Sequence, residues 1–93
     1  MPVLFARIRV ADFTAWKADF DLAEPLRREQ GIVFRAMYQD AIYANGILLL
    51  FDTDDVERAW GYYHSDSQRQ RMARSGLERP AEMWIGTDLN RAG

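Results

Sequence analysis

The chain has no cysteine, which excludes disulfides, thiol nucleophiles and thiolate metal sites. It has one histidine, His64, so no His-rich metal cluster can form. Any metal would fall to carboxylates alone. The nearest such group, Asp52, Asp54 and Asp55, reads better as a strand end followed by a helix N-terminus, where negative charge suits the helix dipole. We expect no metal. The six glycines are scattered, and none falls in a G-x-G-x-x-G or P-loop pattern that would cradle phosphate. No apolar run approaches the roughly 20 residues that span a bilayer. Met1–Val10 alternates in polarity rather than forming a charged start and an apolar signal core. A cytoplasmic protein without a membrane partner is expected. Charge of one sign is lacking too. Twelve basic residues face 14 acidic ones, for a net charge of -2, and no basic stripe marks a nucleic-acid surface. Arginine outnumbers lysine eleven to one, which fits either bidentate ion pairs or the codon usage of a G+C-rich genome.

What is present is apolar and patterned. Residues 1–93 make one domain, and 48% apolar and 13% aromatic content is enough for a core. So small a domain buries a modest share of its surface, and a dimer interface is a natural source of added stability.

Val3–Val10 alternates as a strand, with Leu4, Ala6, Ile8 and Val10 on one face and Val3, Phe5, Arg7 and Arg9 on the other. Asp12 is placed to cap a helix over Phe13–Glu29 in which Phe13, Trp16, Phe20 and Ala23 form one buried stripe. Pro25 predicts a break near Glu24, and Gly31 a stop. Ile32–Gln39 alternates Ile32, Phe34, Ala36 and Tyr38 against Val33, Arg35, Met37 and Gln39. A turn over Asp40–Gly46 leads into Ile47–Thr53, a strand apolar on both faces, as expected of one covered on two sides. An arginine at Leu49 or Leu50 would therefore disturb core or dimer. Asp54 and Glu57 resemble a cap for the helical stretch Val56–Ser75, which breaks at His64–Ser67. Ser65 and Gln68 open its second, Arg-rich part, ending at Ser75–Gly76. Pro80 precedes a last strand over Ala81–Asp88, and Asn90–Gly93 reads as a frayed tail. The βαββαβ order predicts an α+β, ferredoxin-like fold: a four-stranded antiparallel sheet with helices on one face.

His64 is the one side chain that ordinarily titrates near neutrality, hence a general acid/base candidate beside Tyr63 and near Trp60. It equally suits a helix end, bonding the last carbonyls. Trp16, Trp60 and Trp84 either line an apolar cleft for a flat ligand, with Tyr38 or Tyr63 as polar handle, or are simply core. Arg7, Arg9 and Arg35 share the strand face away from the helices with Glu82 and Trp84. They either pair within an interface or hold an anionic or phenolate ligand.

With these residues in place, the chain resembles the dimeric α+β barrel superfamily, which includes cofactor-independent antibiotic-biosynthesis monooxygenases and small polyketide cyclases. Asp12-Phe13-x-x-Trp16, Gly31, the polar hairpin before an apolar strand, Asp55-x-x-x-Ala59, and Ser65, Met72 and Gly76 carry the resemblance. It implies a homodimer packed through the sheet face and a cleft between sheet and helices for an aromatic or polyketide-like molecule. No cofactor is expected. The cyclases use His and Tyr as acid/base groups, which here implies His64 with Tyr38, Tyr62 or Tyr63. Trp16, Trp60, Trp84 and Arg35 would bind substrate. The haem-degrading members use an Asn, a Trp and a His that this chain does not supply in that arrangement. The alternative is a non-catalytic small-molecule-binding or accessory homodimer, with no pocket converging on His64.

Overall fold

The computed structural model describes residues 2–74, 76–78 and 81–89. In chain order it runs β1 (Pro2–Arg9), α1 (Phe13–Leu22), α2 (Glu24–Glu29), β2 (Ile32–Gln39), β3 (Gly46–Thr53), α3 (Val56–Tyr63), α4 (Asp66–Arg74) and β4 (Glu82–Thr87). The four strands form one antiparallel sheet in the order β2-β3-β1-β4, so the two βα crossings leave the central pair β1 and β3 to carry the core. This is the expected ferredoxin-like α+β arrangement. The expected features at Ser75, Pro80 and Asn90–Gly93 lie outside the described residues.

Local chemistry sets the boundaries. Asp12 is extended at the N-terminus of α1, and its Oδ1 accepts from the Ala15 N–H at 3.2 Å. Pro25 sits in the first turn of α2, where its missing N–H costs nothing; Ala23 therefore ends one helix and opens the next. Gly31 adopts φ +72, which a side chain disfavours, and a Cβ there would meet the Asp54 carboxylate. The cap of α3 is Asp55 rather than Asp54: its carboxylate accepts from the Arg58 N–H at 3.0 Å, while the Asp54 N–H donates to the Gly31 carbonyl. Ser65 opens α4, its Oγ accepting from the Gln68 N–H and donating to the Tyr62 carbonyl.

Leu4, Ala6, Ile8, Ile47, Leu49 and Phe51 form the helix-facing floor, and Trp16, Ala59 and Tyr63 descend onto it. Deleting a buried side chain such as Phe51 costs about 3–5 kcal/mol. Phe13 departs from the expected buried stripe: it is 45% exposed at the first turn of α1, although its ring reaches that of Trp16.

Strand β2 departs from strict alternation. Its pairing with β3 shifts between Phe34 and Ala36, leaving Arg35 as an extra, bulged residue. Phe34 opposes Phe51 on the helix side, but Ala36 opposes Leu50 and Tyr38 opposes Leu48, both on the open side. Met37, opposite Leu49, turns inward. The expected faces are thus exchanged beyond Arg35, because a one-residue slip moves every later side chain to the other face.

The open face carries three cross-strand rows. Ala36, Leu50, Phe5 and Trp84 make an apolar middle row. Tyr38, Leu48, Arg7 and Glu82 lie on one side, and Val33, Asp52, Val3 and Gly86 on the other. Phe5, Val33, Tyr38 and Trp84 are exposed.

Candidate functional site

Between the sheet and helices α1, α2 and α4 lies a cavity of about 420 Å³. Its floor is Ala6, Ile8, Leu49 and Phe51, which the period-2 pattern of β1 and β3 turns inward. Trp16, Phe20 and Ala23 come from α1 at helical spacing, and Trp16 stacks on Phe20 with ring centroids 5.0 Å apart. Phe20 also meets the rings of Phe34 and Phe51, and Phe51 meets Tyr63. The result is an aromatic wall. Gln68, Arg71, Met72 and Arg74 from α4 complete the opposite side, Gln68 being buried.

One charged side chain is buried in this wall. Arg27 is 4% exposed, lies over the Phe20 ring at 3.8 Å, and donates from Nη1 to the Phe20 carbonyl at 2.8 Å. That carbonyl belongs to the last turn of α1, where a cation is favoured. Burial pushes the Arg27 guanidinium below its ordinary value, opposed by the phenols of Tyr63 and Tyr62. Burial also pushes the Tyr63 phenol well above its ordinary value of 10, against the nearby Arg27 charge. Burial thus favours the neutral phenol of Tyr63.

Trp16 and Tyr63, both expected at the site, line the cavity. His64, Tyr38, Trp60, Trp84 and Arg35 are not among its described lining residues. His64 is the exposed C-cap of α3. Its Nδ1 lies 2.8 Å from the Trp60 carbonyl and its ring stacks on Trp60 at 4.2 Å. A carbonyl only accepts, so Nδ1 carries the proton. Tyr38 and Trp84 sit on the open sheet face, as does Arg35, whose Nη1 is 3.3 Å from Asp52. Arg7 grips Glu82 at 2.9 Å through both carboxylate oxygens and reaches over the Trp84 ring at 5.8 Å. Arg9 instead covers the Tyr43 ring at 4.3 Å. The open-face arginines Arg7 and Arg35 are thus taken up in pairs.

Arg27 and Gln68 were not anticipated as site residues. The signal for Arg27 was the helical stripe itself: Trp16, Phe20, Ala23 and Arg27 continue one face across the Pro25 break. Among the described residues no group of three or more His, Asp and Glu side chains is placed to hold a metal. Nor is any described helix long and apolar enough to cross a membrane.

No protein-family model and no curated protein matches the chain. Solved structures do. SnoaB, a cofactor-independent oxygenase from Streptomyces nogalater, solved in a point-mutant form, superposes with a TM-score of 0.69 at 12% identity, over 97% of this chain and 94% of that one. A provisionally described antibiotic biosynthesis monooxygenase from Nitrosomonas europaea gives 0.65 at 17% identity, over 96% and 99%. An uncharacterized NIPSNAP domain protein from Burkholderia xenovorans gives 0.66 at 14%, over 100% and 99%. At these identities the likeness is one of fold: the chain has the ferredoxin-like α+β fold of the antibiotic biosynthesis monooxygenase structures, along its whole described length.

Proposed function

We propose that the protein binds an aromatic or polyketide-like small molecule in the cavity between sheet and helices, as a homodimer packed through the open sheet face. The observation that carries this is the cavity: about 420 Å³, walled by Trp16, Phe20, Phe51 and Tyr63, with a few polar groups converging on it. Flat aromatic ligands gain most from such walls, through area burial and ring stacking. The apolar row Ala36, Leu50, Phe5 and Trp84 supports the dimer, since an exposed strip of this kind in so small a domain favours a partner. The presence of a cofactor-independent oxygenase among the structures of like fold supports monooxygenation or cyclisation as the reaction class.

A second reading, non-catalytic ligand binding, has its own observation. His64, the one side chain that ordinarily titrates near neutrality, is the exposed C-cap of α3 and is not among the described residues that line the cavity. Titration calorimetry with a panel of bicyclic and tricyclic phenols tests binding, and oxygen uptake without added flavin, haem or metal tests turnover. Binding of one ligand per protomer with oxygen uptake is the expected result. Binding with neither oxygen uptake nor chemical conversion of the ligand selects the second reading, and no binding by any member contradicts both.

A further inference from the structure

Among the described residues Arg27 is a buried cation with no ion-pair partner, the Glu24 and Asp21 carboxylates acting on it only as more distant charges. The four salt bridges among those residues join Arg7 with Glu82, Lys17 with Asp21, Arg28 with Glu24 and Arg35 with Asp52. Its Nε is buried with no hydrogen-bond partner, and its one side-chain hydrogen bond goes to a neutral carbonyl. Neighbouring Arg28 takes the i,i+4 carboxylate of Glu24, leaving Arg27 to turn inward. An unpaired guanidinium in such a place is costly to bury, and the Phe20 ring compensates only in part. The nearest carboxylates are already engaged, Glu24 by Arg28 and Asp21 by Lys17, and on the cavity wall Asp19 is outnumbered by Arg71 and Arg74. A second polar atom, the Tyr62 hydroxyl, is likewise buried without a partner, near enough to Arg27 and Arg71 to feel their charge.

We infer that the cavity's ligand is an aromatic carboxylate, with Arg27 anchoring its anionic end. This rests on the cavity being the ligand site, and it adds the charge of the ligand. A carboxylate is the chemistry that a guanidinium recognises best, through parallel N–H donors in a fixed fork. The aromatic wall takes the ring, and the Arg27 side of the cavity takes the charge. Ligand binding then supplies the ion-pair partner that Arg27 lacks among the described residues.

The test compares 2-naphthoate with its neutral isostere 2-naphthamide by calorimetry. The unaltered protein is expected to bind naphthoate at least about tenfold more tightly, a difference within the range of a charge-assisted hydrogen bond. The Arg27→Met variant is expected to bind the two within about twofold of each other, with Arg27→Lys in between. Without ligand, Arg27→Met is expected to melt no lower than the unaltered protein, because it removes an unpaired buried charge. A second measurement needs no variant: the Arg27 Nε–H resonance should shift on adding naphthoate and stay in place with naphthamide. Equal affinity for the two probes in the unaltered protein overturns the anchor while leaving the cavity reading intact. Retained preference in Arg27→Met, with a lowered Tm, shows that the arginine is structural and overturns the inference. If neither probe binds, both the anchor and the cavity reading fall.

Discussion

Tyr63 shows how burial decides what a residue can do. Beside His64 in sequence it looks like half of an acid/base pair. In the fold it is buried against Phe51 while His64 points to solvent on the next position of the helix end. Its raised pKa has a consequence for stability, with a definite sign. The folded phenol resists ionisation, whereas the unfolded one ionises near pH 10. Stability is therefore full below about pH 10 and falls as pH rises above it. Chemical denaturation at pH 9 and pH 11 is expected to show a loss that Tyr63→Phe reduces; an unchanged loss in the variant would count against the buried phenol. Trp16 is the complementary case. It is 5% exposed and touches both Phe13 and Phe20, so Trp16→Ala is expected to cost about 3–5 kcal/mol and to abolish ligand binding. Conversely, His64→Ala is expected to leave ligand affinity unchanged, which calorimetry checks directly.

At the scale of elements, most boundaries follow from single residues whose chemistry is local. Asp12, Pro25 and Gly31 each act through their own backbone geometry, which is why the start of α1, the break before α2 and the turn into β2 were legible in the sequence. The α3 cap was missed by one position because Asp54 and Asp55 are chemically equivalent, and only the backbone selects between them. Asp55→Ala is expected to destabilise the protein by about 1 kcal/mol, and Asp54→Ala by clearly less, as measured by urea unfolding. The bulge at Arg35 left no signature at all. A bulge is a property of strand pairing, and the residues on either side alternate as a regular strand would. Arg27 was hidden for a related reason. The segment Glu24–Glu29 carries two adjacent arginines, and the docking of α2 beside α1 buries Arg27 while Arg28 stays exposed.

For the whole molecule, the two faces of β3 carry different duties, and adjacent leucines separate them. Leu49 is 6% exposed and lines the cavity floor, whereas Leu50 sits half-buried in the apolar row of the open face. Leu49→Arg is expected to cost about 4 kcal/mol or more, through an unpaired charge in the core. Leu50→Arg should keep the fold and give a monomer in sedimentation equilibrium, where the proposed homodimer predicts a dimer for the unaltered protein. The three tryptophans sit on three separate surfaces: Trp16 at the cavity, Trp60 beside His64 on the outside of α3, and Trp84 on the open sheet face. Their indole N–H resonances therefore report which surface a ligand meets. In a titration with 2-naphthoate at fixed protein concentration, the account predicts a saturable shift of the Trp16 resonance with Trp60 and Trp84 unmoved. A shift confined to Trp60 or to Trp84, with Trp16 unmoved, would contradict it.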